Sequence, residues 1–322
     1  MELLESMLAG FGYSVVALIF FGVYPVVRKL STASGLEFML AMTVGVALST
    51  FPLGILLAPD LIISARYVLL SYLSGALWTI GTVAFMFSVD CMGLGRASPI
   101  RNTTVIIGVV SGVVLFGEFS FAEPLRLLLV LAGSSLIVYS AMSFGRIHSV
   151  GQMALHRCPV GLIPFTSQVR RLETSDGTGV LLAVVTAVCY GLYAVPGKIA
   201  TEGVGGVFEY AFYLGHSTLV FMAVAYGIIR RDLRVLNLPV REWALGVFGG
   251  LLWTIAFIGL FKGVELIGLA VSWSVANLNI LASTAVSVFL LKEIDTRSEG
   301  TNLRNGLVAA LIGMAFLMYS RL

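Results

Sequence analysis

Apolar runs of about 20 residues recur from one end of the chain to the other, separated by short polar stretches. A helix rises 1.5 Å per residue, so about 20 residues cross a hydrocarbon core of about 30 Å. The pattern predicts ten membrane-spanning helices: Gly10–Val27, Phe38–Ala58, Tyr67–Val89, Ala97–Gly117, Pro124–Phe144, Gly179–Ala200, Phe208–Ile229, Trp243–Phe261, Ile267–Leu291 and Leu303–Ser320. One connection is long and polar and divides the spans five and five. This predicts a first five-helix unit over 1–144, a linker over 145–177 and a second unit over 178–322.

The two halves repeat each other in order. Phe21–Tyr24 (FGVY) with Lys29 returns as Tyr190–Tyr193 (YGLY) with Lys198, and Glu37-Phe38 as Glu209-Tyr210. GALWTI at Gly75–Ile80 returns as GLLWTI at Gly250–Ile255. At that same offset of 175, Asp90 meets Glu265, Gly93-Leu94 meets Gly268-Leu269, Asn102 meets Asn277 and Glu118 meets Glu293. Val138–Ser140 matches Met318–Ser320. A collinear series over five spans points to duplication, and an odd number of spans per copy inverts the second copy in the bilayer. The expected fold class is therefore an all-α integral membrane protein, ten transmembrane helices as two inverted five-helix repeats. Such repeats characterise transporters that work by alternating access around a central site.

Composition agrees: 58% of the 322 residues are hydrophobic and 11% charged, with mean hydropathy +0.98, where soluble domains carry about 25% charged residues. The net charge of +3 is too small to imply a nucleic-acid partner. Three cysteines form no CxxC pair, which argues against redox chemistry and a thiolate metal site. The acidic start MELLESMLAG lacks the basic region of a cleaved signal, so the first span is expected to act as its own insertion signal. Of the 20 Lys and Arg, five (Arg66, Arg126, Lys198, Lys262 and Arg321) fall on the side of the termini and 15 on the side of the long connection. The positive-inside rule then predicts termini outside and a cytoplasmic central loop, in the cell membrane if the source is prokaryotic.

Polar and aromatic residues inside spans are candidates for the site. Asn102 and Asn277 are repeat mates with amides suited to sugar hydroxyls, or else to bonding between helices; Asn279 lies nearby on another face. Arg101, opposite Ala276 in the other copy, either snorkels to the interface or holds an anion or a carboxylate such as Glu37. Trp78 and Trp253 fall near mid-span instead of in the headgroup belts, where a stacked sugar ring and plain packing are both open readings. Trp273 is one turn from Asn277, and Tyr24, Tyr190 and Tyr193 add hydroxyls. For coupling, His216 is the histidine within a span and shares a helix face with Glu209, as a proton relay or as a neutral hydrogen-bonding group. Asp90, Glu265, Glu118 and Glu293 are expected to cap helices or face water. Gly108 and Gly112 form a GxxxG face for close helix approach.

The stretch GLGRASPIRNTTVIIGVVSGVVLFGEF, Gly93–Phe119, with its Pro-Ile opening, glycine-rich helix and terminal FGE, resembles the glucose/ribose porter branch of the drug/metabolite transporter superfamily. That branch includes bacterial glucose-uptake proteins, the rhamnose–proton symporter and the transmembrane protein 144 group. The resemblance implies carbohydrate uptake coupled to protons, with a sugar-like substrate; no cofactor is expected, and ten spans make a complete unit, so a monomer is sufficient in the bilayer. Arg101 and the long central loop depart from it. The alternative is an exporter or exchanger of other small metabolites or drugs. No phosphate loop, HExxH pair or GxSxG elbow is present, so neither an ATP-driven pump nor an enzyme is expected.

Overall fold

The computed structural model describes residues 2–58, 64–92, 94–119, 123–146, 175–203, 206–232, 234–290 and 299–321. Every regular element among them is a helix: α1 (Glu2–Lys29), α2 (Gly35–Leu57), α3 (Ala65–Met92), α4 (Leu94–Asn102), α5 (Thr104–Val110), α6 (Pro124–Gly145), α7 (Ser175–Gly203), α8 (Val207–Arg230), α9 (Val240–Ile267), α10 (Leu269–Ala276), α11 (Asn279–Ala285) and α12 (Gly300–Tyr319). A π-helical turn follows α5 at Ser111–Leu115 and another follows α11 at Val286–Leu290, and a short 3-10 turn sits at Arg234–Asn237. Among the described residues nine helical stretches are long and apolar enough to span a membrane. The chain is an all-α, multi-pass integral membrane protein. Most of the expected linker and Glu293 lie outside the described residues.

Most of these helices are apolar on nearly all sides, as lipid requires. Leu56, Leu69, Leu128 and Leu181 point outward and are exposed, which costs nothing against acyl chains. Small hydroxyl side chains lie inside and tie helices together: Ser74 Oγ donates to the Tyr193 carbonyl at 3.0 Å, Ser88 Oγ to Gly179 at 2.8 Å and Ser140 Oγ to Gly306 at 2.8 Å.

The fourth and ninth expected spans are each interrupted in mid-course, and at the same place. α4 and α5 break at Thr103, and α10 and α11 break at Asn277-Leu278. At each break the backbone tightens to i−3 bonds: Thr103 N to Ile100 O at 3.1 Å and Leu278 N to Val275 O at 3.0 Å, then Ile106 N to Thr103 O at 2.9 Å and Leu281 N to Leu278 O at 2.8 Å. These four bonds form two pairs of repeat mates, and the π turns begin at mates Ser111 and Val286. The N-terminus of α2 also has a counterpart. Glu37 Oε2 accepts from Ser34 N at 2.8 Å, and Glu209 Oε2 accepts from Gly206 N at 2.8 Å at the start of α8.

Packing follows the same exchange. α1 lies on α9 as α7 lies on α3, α2 lies on α9 as α8 lies on α3, and the pairs α2–α8 and α6–α12 map onto themselves. Bare backbone makes the contact where α6 meets α12. A Cβ added to Gly133 would sit 2.9 Å from the Gly313 carbonyl oxygen, and one added to Gly313 would sit 2.8 Å from that of Gly133.

Gly313→Val is therefore expected to force the α6–α12 contact apart and cost about 1–3 kcal/mol, read as a lower Tm of the purified protein. Gly12→Ala, where a Cβ meets nothing within 4 Å, should leave Tm unchanged. Equal melting of both variants would show that this contact does not hold the helices together.

Candidate functional site

A cavity with about 510 Å³ of empty space lies between the two halves, lined by Phe21, Tyr24, Trp78, Arg101, Thr104, Tyr190, Tyr193, Trp253, Leu260, Trp273, Ala276, Asn277 and Asn279. Both helix breaks border it, so the chain interrupts its regular hydrogen bonding where it faces a void and not where it faces lipid.

The aromatic wall is built on the repeat. Trp78 from α3 and Trp253 from α9 are mates and touch each other edge to face, ring centroids 5.2 Å apart at 64°. Trp253 also stacks on Phe257 at 5.2 Å and 17°, and Tyr193 meets Trp273 at 5.5 Å. Trp273 fits because Gly108 faces it: a Cβ there would lie 2.3 Å from the indole ring. The GxxxG face of α5 thus admits α10, with Gly112 meeting Ala270.

Polar groups punctuate this wall. Asn277 Nδ2 donates to its own helix at Trp273 O, 2.8 Å, which leaves Oδ1 as its unspent acceptor. Thr104 Oγ1 and Trp273 Nε1 are buried without a hydrogen-bond partner. Arg101 turns into the cavity. Its Nε and Nη2 both donate to Asn102 Oδ1, at 3.2 and 2.9 Å, and its Cζ lies 4.9 Å from the Phe85 ring centroid.

Of the residues singled out from sequence, Trp78, Trp253, Trp273, Arg101, Asn277, Asn279, Tyr24 and Tyr193 all line this one cavity, and Tyr190 joins them. Asn102 does not: it is 1% exposed and stands behind Arg101. The mates Asn102 and Asn277 therefore have different environments, because one copy carries an arginine to be held and the other Ala276. Arg101 does not snorkel, and Glu37 is spent on its helix cap. His216 and Glu209 are not brought to the cavity. Glu209 caps α8, while His216 Nδ1 lies 2.7 Å from the Phe212 carbonyl and the ring packs against Phe51 and Phe212.

The sequence reading missed a buried ionic cluster at the start of α10. Glu118 follows the π turn after α5, and its carboxylate accepts from Leu269 N at 2.5 Å and Ala270 N at 2.8 Å. It pairs with Lys198 of α7, whose side chain is 4% exposed, and with Arg321 at 3.5 Å. Lys198 also lies over Phe116 at 4.5 Å. Gly268, at φ +81°, makes the turn from α9 into α10 that presents those amides. Of the expectation that Glu118 caps helices or faces water, the first part describes it, since it caps α10, and the second is corrected: Glu118 and Lys198 are both interior groups at one end of the bundle. Asp90 lies within α3 and Glu265 within α9, where it bonds Lys262 at 2.8 Å.

Two broken helices and an inward-facing tryptophan pair at a polar–aromatic cavity define a multi-pass membrane protein with an interior cleft between its helices. The family model described as sugar transport protein matches residues 4–147 and 148–319; the chain belongs to that family, a glucose-uptake-type porter family and not an enzyme family. It is 23% identical over 307 residues to the "Putative sugar uptake protein lin0215" of Listeria innocua, covering 93% of this chain and 95% of that one. It is 23% identical over 264 residues to the glucose uptake protein GlcU of Bacillus subtilis, covering 80% of each. One solved crystal structure shares the fold with a TM-score of 0.68 at 14% identity, over 97% of this chain and 96% of its own.

Glu118→Ala strands Lys198 and two helix amides, and breaking a buried pair costs about 3–5 kcal/mol. The variant is expected to melt far below wild type. Glu123→Ala removes the half-exposed Arg126–Glu123 pair and should cost no more than about 1 kcal/mol. Similar Tm values for the two variants would place Glu118 in solvent.

Proposed function

We propose that this sugar transporter is a secondary carrier, that its two five-helix halves are inverted repeats, and that it moves a monosaccharide-sized substrate through the central cavity by alternating access. The observation that carries the reading is the meeting of Trp78 with its mate Trp253 at the wall of a cavity bordered by both broken spans. Indole faces suit the C–H faces of a sugar ring. Asn277 Oδ1, Thr104 and the tyrosines offer hydrogen bonds to its hydroxyls. The matching of helix breaks, caps and packing pairs at the repeat offsets supports two equivalent halves able to rock about that site.

On the charge-count orientation the termini are outside and the central loop cytoplasmic, which puts the Glu118–Lys198 cluster at the outer end. The described conformation then has its outer end bound by a buried ion pair. Uptake driven by protons follows the resemblance to the porter branch, and a single ten-span chain in the bilayer suffices. We assign His216 a packing role instead of the relay role, since its Nδ1 is committed to a carbonyl. Export or exchange of another metabolite uses the same cavity and is the reading to test against.

Purified protein in liposomes is expected to show saturable counterflow: internal unlabelled hexose accelerates entry of labelled hexose. Asn277→Ala should weaken binding by about 1–3 kcal/mol with Tm preserved. His216→Gln should keep both counterflow and the response to an inward proton gradient. Non-saturable flux would make the protein a channel. Loss of the gradient response alone in His216→Gln would return the histidine to the coupling path.

Single cysteines at Ser6 and Ser149, in a cysteine-free background, should label from opposite sides with an impermeant maleimide. Labelling of position 149 from outside intact cells would reverse the orientation.

A further inference from the structure

The cavity holds a cation and, among its lining residues, no acid. Arg101 is the charged member of the lining set, and the rest are aromatic, aliphatic, hydroxyl or amide. Among the described residues its guanidinium touches an amide oxygen and a phenyl ring, and no carboxylate. A guanidinium within a membrane span costs about 2.5–3.5 kcal/mol on insertion scales, and a neutral sugar supplies nothing to offset that charge.

The surroundings hold the group in place. Asn102 lends one oxygen to two guanidinium nitrogens, Nε and Nη2, and Phe85 lies against the face of the cation. To do so Asn102 leaves its own Nδ2 buried without a partner, a cost of about 1–3 kcal/mol for a stranded donor. Nη1 makes no hydrogen bond to the described protein, so donors remain toward the cavity. That edge matches a carboxylate, which guanidinium binds with paired, charge-assisted hydrogen bonds. One fixed cation neutralises one negative charge, so a monoanion fits better than a phosphate dianion.

We propose that the carrier's preferred substrate is a sugar acid, a monosaccharide bearing a carboxylate, with Arg101 as its counter-charge and Asn102 as the residue that positions Arg101. The inference rests on the sugar-carrier reading above and narrows it. The tryptophans take the ring, and Arg101 takes the acid group.

Binding to the detergent-purified full chain is measured by calorimetry for glucose, glucuronate, gluconate and glucose 6-phosphate. At least one of the two acids is expected to bind roughly ten- to hundred-fold tighter than glucose, the worth of a hydrogen bond to a charged group. Arg101→Gln should collapse that ratio toward unity, and Arg101→Lys should restore part of it. Asn102→Ala should lower the ratio while Tm, followed in parallel, reports whether the fold survives. Glucose binding at least as tightly as both acids, or Arg101→Gln weakening glucose and acid equally, overturns the acid proposal and leaves the sugar-carrier reading standing. Tightest binding of the phosphate overturns the monoanion assignment. Failure of hexose and acid alike to bind removes both readings.

Discussion

A polypeptide in a bilayer has to keep its backbone hydrogen-bonded within itself, and this chain interrupts two of its spans nonetheless. Both interruptions are made acceptable by where they fall. At Thr103 and Leu278 the backbone passes through i−3 bonds, and the neighbouring Arg101, Thr104, Ala276, Asn277 and Asn279 line the cavity. At the far end of α10 the free amides of Leu269 and Ala270 meet the Glu118 carboxylate, which is in turn neutralised by Lys198. Without that acid the α10 N-terminus would be buried and bare, and the lysine uncompensated. The placement of Trp273 and Asn277 in the cavity wall therefore depends on a carboxylate supplied from the other half of the chain.

The aromatic wall and the ionic cluster divide the work of the interior. Trp78 and Trp253 are nearly inaccessible, Trp253 braced by Phe21 and Phe257 and Trp78 by Trp253, which gives a rigid surface with little rotamer freedom to lose on ligand contact. The ion pair is a different kind of contact, since breaking it strands charge in a low-dielectric setting. If the halves rock as proposed, opening that end has to bring water to both charges at the same time.

Much of this was legible in the sequence because lipid imposes simple rules. Spans could be read from apolar length, and duplication from matched short strings. The convergence of Trp78, Trp253, Trp273, Asn277, Tyr24 and Tyr193 on one cavity was expected from mid-span polar and aromatic positions. The ionic cluster was not, because Lys198 and Glu118 stand near predicted span ends, where charges ordinarily meet water. Their sequence mates Lys29 and Glu293 carried the signal, since the same charge recurs at the matched position of each copy. The capping role of Glu209 could have been read from its mate. Its mate Glu37 sits three residues after Ser34, a capping-box spacing, and reading the pair together assigns both carboxylates to helix ends.

Duplication also makes the departures from symmetry informative. Positions 102 and 277 both carry asparagine, yet one points its oxygen at a guanidinium and the other bonds its own helix. The difference is made one residue earlier, where Arg101 faces Ala276. Fold demands bear on both copies alike, so they account for the shared asparagines, tryptophans and glycines but not for a charge present in one copy alone. A substrate is not symmetric, and a cavity lined by matching residues of two sequence copies has to depart from that match to bind it in one orientation. On the proposed reading the single arginine does that, and it sets which end of the ligand lies toward α4.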